Sequence, residues 1–569
     1  MSAIELKNAD GIAMPNPVIG VFSPGDFRVS PDDRERCRNI VQMVADKIAA
    51  EVKLPNGEPC KVVYSRTLVD GEPTADIVAA QFIDAGVNIL VCCPDTWSFP
   101  QPTALSFFAH FSDDTPINIT CGNSGPKPGV VYAHALVGAM AQYSRLAHLN
   151  VGSWPDRGMN PEMKESTAKD LIDWCYAAVT KVYYKGKRIC MFGHDAMGME
   201  TALQHVIPTR KAFGIEICRT DMKILADLYN MEAYDKEELK ALRNWIETKS
   251  GAIKFDDEST SELFDKSLSL YLIVRDYLKE YNAIGGGFMN QLEWASLPKG
   301  KVIPLPVMDI AESLFNSTFD HNGPKMPTPF ATEADCQALL TMLVFSGLTA
   351  GKSPLFMDFR KVWEPWQIQE FAKENGLSLP DADWVKYGFV DGNNSGSAGL
   401  DWAGMPGDSV DTIMKNVSYF PVDHGYFRGG GNSVHFLTPG GIEGIAGRIM
   451  YSDLSGMFSM SWDEAKTADV PVDFAEGFMH LTDYGWPHTF VMPKYATMNE
   501  YKQLPPANHF HMIEGLAPAR LEYWMDLANV LSHAGWTARP KYVEGVDRPT
   551  PILYVANGGE DTAKMLLKK

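Results

Sequence analysis

Apolar and polar positions divide the chain into three textures. In the first, PVIGVFS (17–23) is a near-continuous apolar run. The polar segment PDDRERCRNIVQMVADKIAAEV then carries apolar residues at helical spacing. CKVVYSR, a helix in TADIVAAQFIDAG and the apolar run VNILVCCP follow. This β-α-β-α-β order predicts a parallel sheet with helices packed on it. No G-x-G-x-x-G follows the first strand, so the dinucleotide fingerprint is absent.

A second alternating unit opens at KGKRICMFGHDAMGMETAL. It holds two long polar helices, DKEELKALRNWIETK and STSELFDKSLSLYLIVRDYLKEYN, and ends on a Gly-rich strand edge, AIGGGFMNQLEW. HDAMGME reads as a phosphate cradle or as a close-packed strand-to-helix turn, with the turn favoured. From about Leu355 short apolar runs alternate with Gly, Asn, Asp and Pro: YGFVDG, GIAGRIMYSDLSGMFSMSW, HTFVMPKY, PILYVANGG. That texture predicts a β-rich domain. The expected division is 1–175, 176–354 and 355–569. No internal repeat or low-complexity linker separates these parts, so close packing is expected.

Composition narrows the function. A chain of 569 residues exceeds one hydrophobic core, and 45% hydrophobic with 21% charged residues is ordinary for a globular protein. The net charge of −20 argues against a nucleic-acid partner or an anionic membrane surface, both of which want a basic face. Nine cysteines, an odd number with no C-x-x-C pair, read as buried reduced thiols rather than disulfides or a zinc site. No stretch approaches the length of a membrane span, and MSAIELKNADG lacks an apolar signal core, so a cytoplasmic location is expected.

The chemistry concentrates in PFATEADCQALLTMLVFSGLTAGKSPLFMDFRKVW. Thr332 reads as a helix N-cap, with Glu333 and Asp335 in the first turn and an apolar stripe behind them. SPLFMDF reads as a strand with Asp358 near its C-terminal end. A strand running back along such a helix returns Asp358 to the edge where Glu333 begins, and strand ends of α/β sheets are where ligands bind. Two half-buried carboxylates need something positive. Arg360 and Lys361 could supply it, as could a metal, or Glu333 could simply serve the helix dipole while Asp358 stays exposed. PPANHFHMIEG adds His509 in a loop. Two carboxylates and one imidazole suit Mn²⁺, Mg²⁺ or Fe²⁺ better than structural Zn²⁺.

The chain resembles the L-fucose isomerases, aldose–ketose isomerases of fucose and D-arabinose. The resemblance rests on YNAIGGGFMNQLEW, NSTFDHNGPKMPTPFATEAD, LFMDFRKVW, NNSGSAGLDW, YFRGGGNSVHFLTPGG and ANH, in the family's order. It implies an α/β fold: two Rossmann-like N-terminal domains without a dinucleotide, then a β-rich C-terminal domain. It further implies a homo-hexamer with shared active sites, a small-molecule sugar, and Mn²⁺ (Mg²⁺ or Co²⁺ in substitution) held by Glu333, Asp358 and His509. Glu333 and Asp358 become the acid and base of a cis-enediol mechanism. Sugar contacts fall on Arg28, Gln291, Ser395, Ser397, Tyr426, Trp486 and Asn508, with Trp97 donated by a neighbouring subunit. Asp335 is left as a capping residue. His511 could be a pocket residue or a rival ligand. Three departures bear on the sugar. Met289 stands where the family has Gln, and His321 where Trp is common. In FSPGDFRVSPDDRER only Arg28 survives from an arginine-rich stretch.

Overall fold

The structure is a computed structural model. It describes residues 16–123, 128–193, 198–289, 305–393, 398–453, 455–494, 498, 502 and 507–532. Two compact units divide the chain: residues 1–54 with 58–183, and residues 55–57 with 184–569.

The first unit is the predicted parallel sheet, extended to five strands. In spatial order they are Lys61–Tyr64, Val18–Phe22, Ile89–Cys92, Ile117–Cys121 and His148–Val151, with every pairing parallel. The helix Pro31–Glu51 starts where its sequence says: Ser30 caps it by accepting from the Asp33 amide, and Pro31 occupies the first turn. Its stripe Cys37, Ile40, Val41, Val44 and Ile48 is buried. The buried Arg36 guanidinium meets Asp95 at 2.7 Å, and the Trp154 indole donates to the same carboxylate at 2.9 Å.

The second unit contains two larger sheets, with two small two-stranded ones beside them in the chain, Phe319–Asp320 with Gly323–Pro324 and Ser418–Pro421 with Asn432–His435. A four-stranded parallel sheet runs Phe330–Ala331, Ala283–Phe288, Arg188–Phe192, Glu216–Thr220. The Gly-rich strand is therefore interior, not the edge its composition suggested. A Cβ on Gly285 would stand 2.6 Å from the Pro329 carbonyl, and one on Gly287 2.7 Å from that of Ala331. Glycine there admits the short strand that delivers Glu333.

The other sheet is the β-rich part. Glu443–Ser452, His509–Glu514, Leu355–Trp363, Phe389–Asn393, His488–Pro493 and Met457–Thr467 pair antiparallel in that order. The last pairs back with the first. These six strands close on themselves, and Leu531–Ser532 adds a parallel strand to Met457–Thr467. The helix Cys336–Leu348 is buried on every side rather than along one stripe. Its side chains join it to the barrel strand Glu443–Ser452: Thr341 accepts from the Ile449 amide and Gln337 from that of Tyr451.

All nine cysteines are unbridged, eight buried and Cys218 half-buried. Burial pushes Cys60, Cys121 and Cys190 up to about 12, the mark of inert thiols. No helix among the described residues is long and apolar enough to cross a membrane.

Candidate active site

Glu333 sits in a single helical turn, Thr332–Ala334, between the strand Phe330–Ala331 and the helix Cys336–Leu348. Thr332 is not the helix N-cap. Asp335 takes that place and accepts from the Ala338 amide at 2.9 Å. The reason lies in the backbone. Glu333 (φ 57°) and Ala334 (φ 51°) are both left-handed, so the helix cannot begin before them. Two consecutive non-glycine residues there store strain of order 1 kcal/mol each, which helix and strand together hold in place.

Asp358 is the fourth residue of Leu355–Trp363, mid-strand rather than at a strand end. Its register explains the site better than a returning helix does. Asp358 lies directly opposite His509 on one side and Asn393 on the other, and Asn393 lies opposite His488. Residues in register share a face of the sheet, so His509, Asp358, Asn393 and His488 form one row across four strands. A bulge between Phe359 and Lys361 follows at once. His509 itself opens the strand His509–Glu514 and is not in a loop.

The row and the strained turn meet at one atom. His509 Nε2 stands 3.1 Å from Glu333 Oε2 and 3.6 Å from Asp358 Oδ1. The Asn508 amide donates to Asp358 Oδ1 at 3.2 Å. On the other side of the ring, Nδ1–H donates to Asp335 Oδ2 at 2.7 Å. Arg448, fully buried, donates to Asp335 Oδ1 at 3.1 Å and stands 2.9 Å from Oδ2. Burial raises the Asp335 pKa, but the Arg448 charge and the His509 hydrogen bond outweigh it and hold the carboxyl well below the ordinary range. Burial likewise opposes an imidazolium at His509. The Asp335 hydrogen bond and the nearby Glu333 and Asp358 carboxylates nevertheless push its pKa up to about 10. The imidazole of His509 is thus the group that meets the two carboxylates. Arg360 lies over the Trp486 ring at 5.2 Å and Lys361 over Trp363 at 4.3 Å.

Among the described residues no group of three or more His, Cys, Asp or Glu side chains is already arranged to hold a metal ion. The fit of a divalent ion rests instead on donor type and spacing. Ligands at right angles about 2.1 Å from a shared ion stand roughly 3 Å apart, close to the 3.1 Å and 3.6 Å found here. His509 Nε2 is buried and makes no well-formed hydrogen bond, as a ligand nitrogen requires. Glu333, Asp358 and His509 could therefore hold such an ion.

The other nominated residues divide. Trp486 is buried against Val307, Val422 and Phe427, while Tyr426 is 77% exposed. In the first unit, Arg28 is paired with Asp26 at 2.6 Å and lies 5.1 Å over Phe99, against whose ring Trp97 packs edge-on. Gln291, Ser395 and Ser397 lie outside the described residues. Met289 is buried, and His321 stands 3.2 Å from Glu238. His511 is buried against Phe356, makes no well-formed hydrogen bond, and burial lowers its pKa well below the ordinary value.

Sequence reasoning missed Arg448, the bond from Asp335 to His509, and Asp309. Asp309 is fully buried with neither oxygen in a well-formed hydrogen bond. Burial raises it to about 7, offset in part by the Ser433 hydroxyl and reinforced by the Glu333 charge. The signal was there: GIAGRIMYS and PLPVMDIAESLF each set a lone charge in an apolar run, and such charges are buried only when partnered or functional.

The family profile described as L-fucose isomerase, first N-terminal domain, matches residues 16–186, and that of the second N-terminal domain matches residues 274–350. An L-fucose isomerase of Streptococcus pneumoniae (strain JJA) is 24% identical over 506 residues, covering 82% of each chain. One from Haemophilus influenzae Rd is 25% identical over 496 residues, covering 80% of each.

Proposed function

The chain belongs to the L-fucose isomerase family of aldose–ketose isomerases, and from that premise we propose that it interconverts an aldose and its ketose with the help of Mn²⁺. L-Fucose/L-fuculose and D-arabinose/D-ribulose are the nearest substrate pairs. The observation that carries this reading is the meeting of Glu333, Asp358 and His509 at one buried imidazole nitrogen.

Moving a carbonyl from C1 to C2 requires taking the C2 proton, holding a cis-enediol and returning a proton to C1. A carboxylate does this when poised beside the carbon, and Glu333 and Asp358 face one point from different elements. Either one carboxylate takes the C2 proton and returns that same proton to C1, or one takes the C2 proton while the other, protonated beforehand, gives C1 its own proton and is left as the carboxylate. Bound Mn²⁺ supplies charge that offsets the negative charge gathering on the two adjacent sugar oxygens. His509 would hold the ion through Nε2 and takes no proton from the sugar. Asn508 donates its exposed amide to Asp358 and is the nearest amide for a sugar hydroxyl. Trp486 offers an apolar face to sugar C–H edges. A cytoplasmic homo-hexamer with Trp97 crossing between subunits completes the proposal.

A different sugar is the second reading. Met289 is an apolar, buried side chain where a polar contact is customary, so one hydroxyl of the usual substrate loses its partner.

The test is a panel of aldoses assayed for ketose formation with Mn²⁺ present, before and after EDTA. Ketose from at least one sugar, lost with EDTA and regained with Mn²⁺, is expected. Binding without product on every sugar would leave a sugar-binding protein.

A further inference from the structure

The geometry points to Asp335 and Arg448 as positioning residues that fix the His509 ring and its tautomer for metal binding. This inference rests on the metal reading above. An imidazole ligand needs its binding nitrogen bare and its other nitrogen protonated, and the group that accepts that second N–H sets both orientation and basicity. Asp335 Oδ2 is that acceptor, 2.7 Å from His509 Nδ1. With Nδ1 carrying the hydrogen, Nε2 is the nitrogen turned to Glu333 and Asp358.

Helix capping alone does not account for Asp335. A cap needs one oxygen, which Ser or Asn provides as well. That role is filled by Oδ1 on the Ala338 amide. The second oxygen and the charge are directed at His509. A fully buried carboxylate costs several kcal/mol in desolvation unless it is neutralised, and Arg448, equally buried, supplies the opposite charge at 2.9 Å. Arg448 also donates to the His509 carbonyl at 3.3 Å and to that of Thr201 at 2.7 Å. One guanidinium therefore holds both the backbone of His509 and the partner of its ring. Buried ion pairs are poor contributors to stability compared with apolar packing, so orientation is the gain that explains this one.

The test measures Mn²⁺ affinity of the metal-depleted full-length protein by calorimetry, with the urea midpoint of each metal-depleted variant alongside. Asp335→Asn keeps a cap oxygen and removes the charge. Arg448→Lys keeps the charge and removes the fork. Each is expected to weaken Mn²⁺ about 10- to 100-fold while the folded fraction binds with unchanged stoichiometry. A merely structural role lowers the urea midpoint and leaves the affinity of the folded protein at the wild-type value; that result overturns the inference. Should one variant fail to fold, the other carries the same measurement. Wild-type protein that takes up no Mn²⁺ overturns the metal reading itself, and this inference with it.

Discussion

At the scale of single residues, Glu333 and Asp309 make opposite uses of burial. Glu333 is held in a left-handed turn and stays partly open, 13% exposed beside His509. Glu333→Gln keeps the shape and removes the proton acceptor. Turnover should fall by about 10²- to 10⁴-fold, the usual worth of a general acid–base group, while sugar binding by calorimetry is partly kept. Turnover at the wild-type rate would end the acid–base role. Asp309 is closed off, and its pKa is raised from 3.8 to about 7. A carboxyl raised in the folded state keeps its proton longer than in the unfolded chain. Its contribution is therefore fully present below pH 3.8 and lost as pH rises to about 7, after which it is flat. The shift caps the loss at on the order of 4 kcal/mol. In EDTA, the urea midpoint of Asp309→Asn should gain on wild type between pH 5 and pH 8. An equal pH trend in both proteins would exclude Asp309 as the source.

At the scale of elements, the glycines of Ala283–Phe288 decide whether Glu333 reaches its place. A Cβ on Gly286 would stand 2.6 Å from the Cys190 carbonyl and 2.7 Å from the Phe330 ring. The carbonyl belongs to a paired strand and cannot swing aside. Gly286→Ala should therefore cost about 1–3 kcal/mol as overpacking, read as a lower urea midpoint. An unchanged midpoint would show that the two strands can part. This glycine run also shows where sequence reading succeeds and fails. Its composition announced an irregular strand, but only the pairing with Phe330–Ala331 places it inside the sheet. The helices Pro31–Glu51 and Ser261–Glu280 were legible because caps and periodicity are local. Asp358 and His509 were legible as chemistry but not as geometry. Their closeness comes from antiparallel register between two strands far apart in the chain, which no local spacing encodes. Thr332 misled because hydroxyl-before-acid is a cap signature, and the two left-handed residues that move the cap to Asp335 leave no composition signal. Arg448 shows only as one charge in an apolar run, and its partner lies 113 residues away.

At the scale of the whole molecule, a net charge of −20 favours the approach of a divalent cation, and a chain that binds one should be stabilised by mass action. Mn²⁺ at 100 times its dissociation constant should add about 2.7 kcal/mol, seen as a thermal midpoint that climbs with Mn²⁺ concentration; a midpoint indifferent to Mn²⁺ would contradict the site. The proposed sharing of sites between subunits has a sharper consequence. If Trp97 serves the Glu333 of a neighbour, then Trp97→Ala and Glu333→Gln each disable every site in a pure oligomer. In an oligomer assembled at random from equal amounts of both, a site works when an intact Glu333 on one chain meets an intact Trp97 on the next. Those two independent halves give about one quarter of the wild-type sites. Co-refolding or co-expressing the two variants should thus restore about a quarter of wild-type turnover, whereas mixing them without subunit exchange should restore none. Sites built within a single chain would predict no recovery under either protocol.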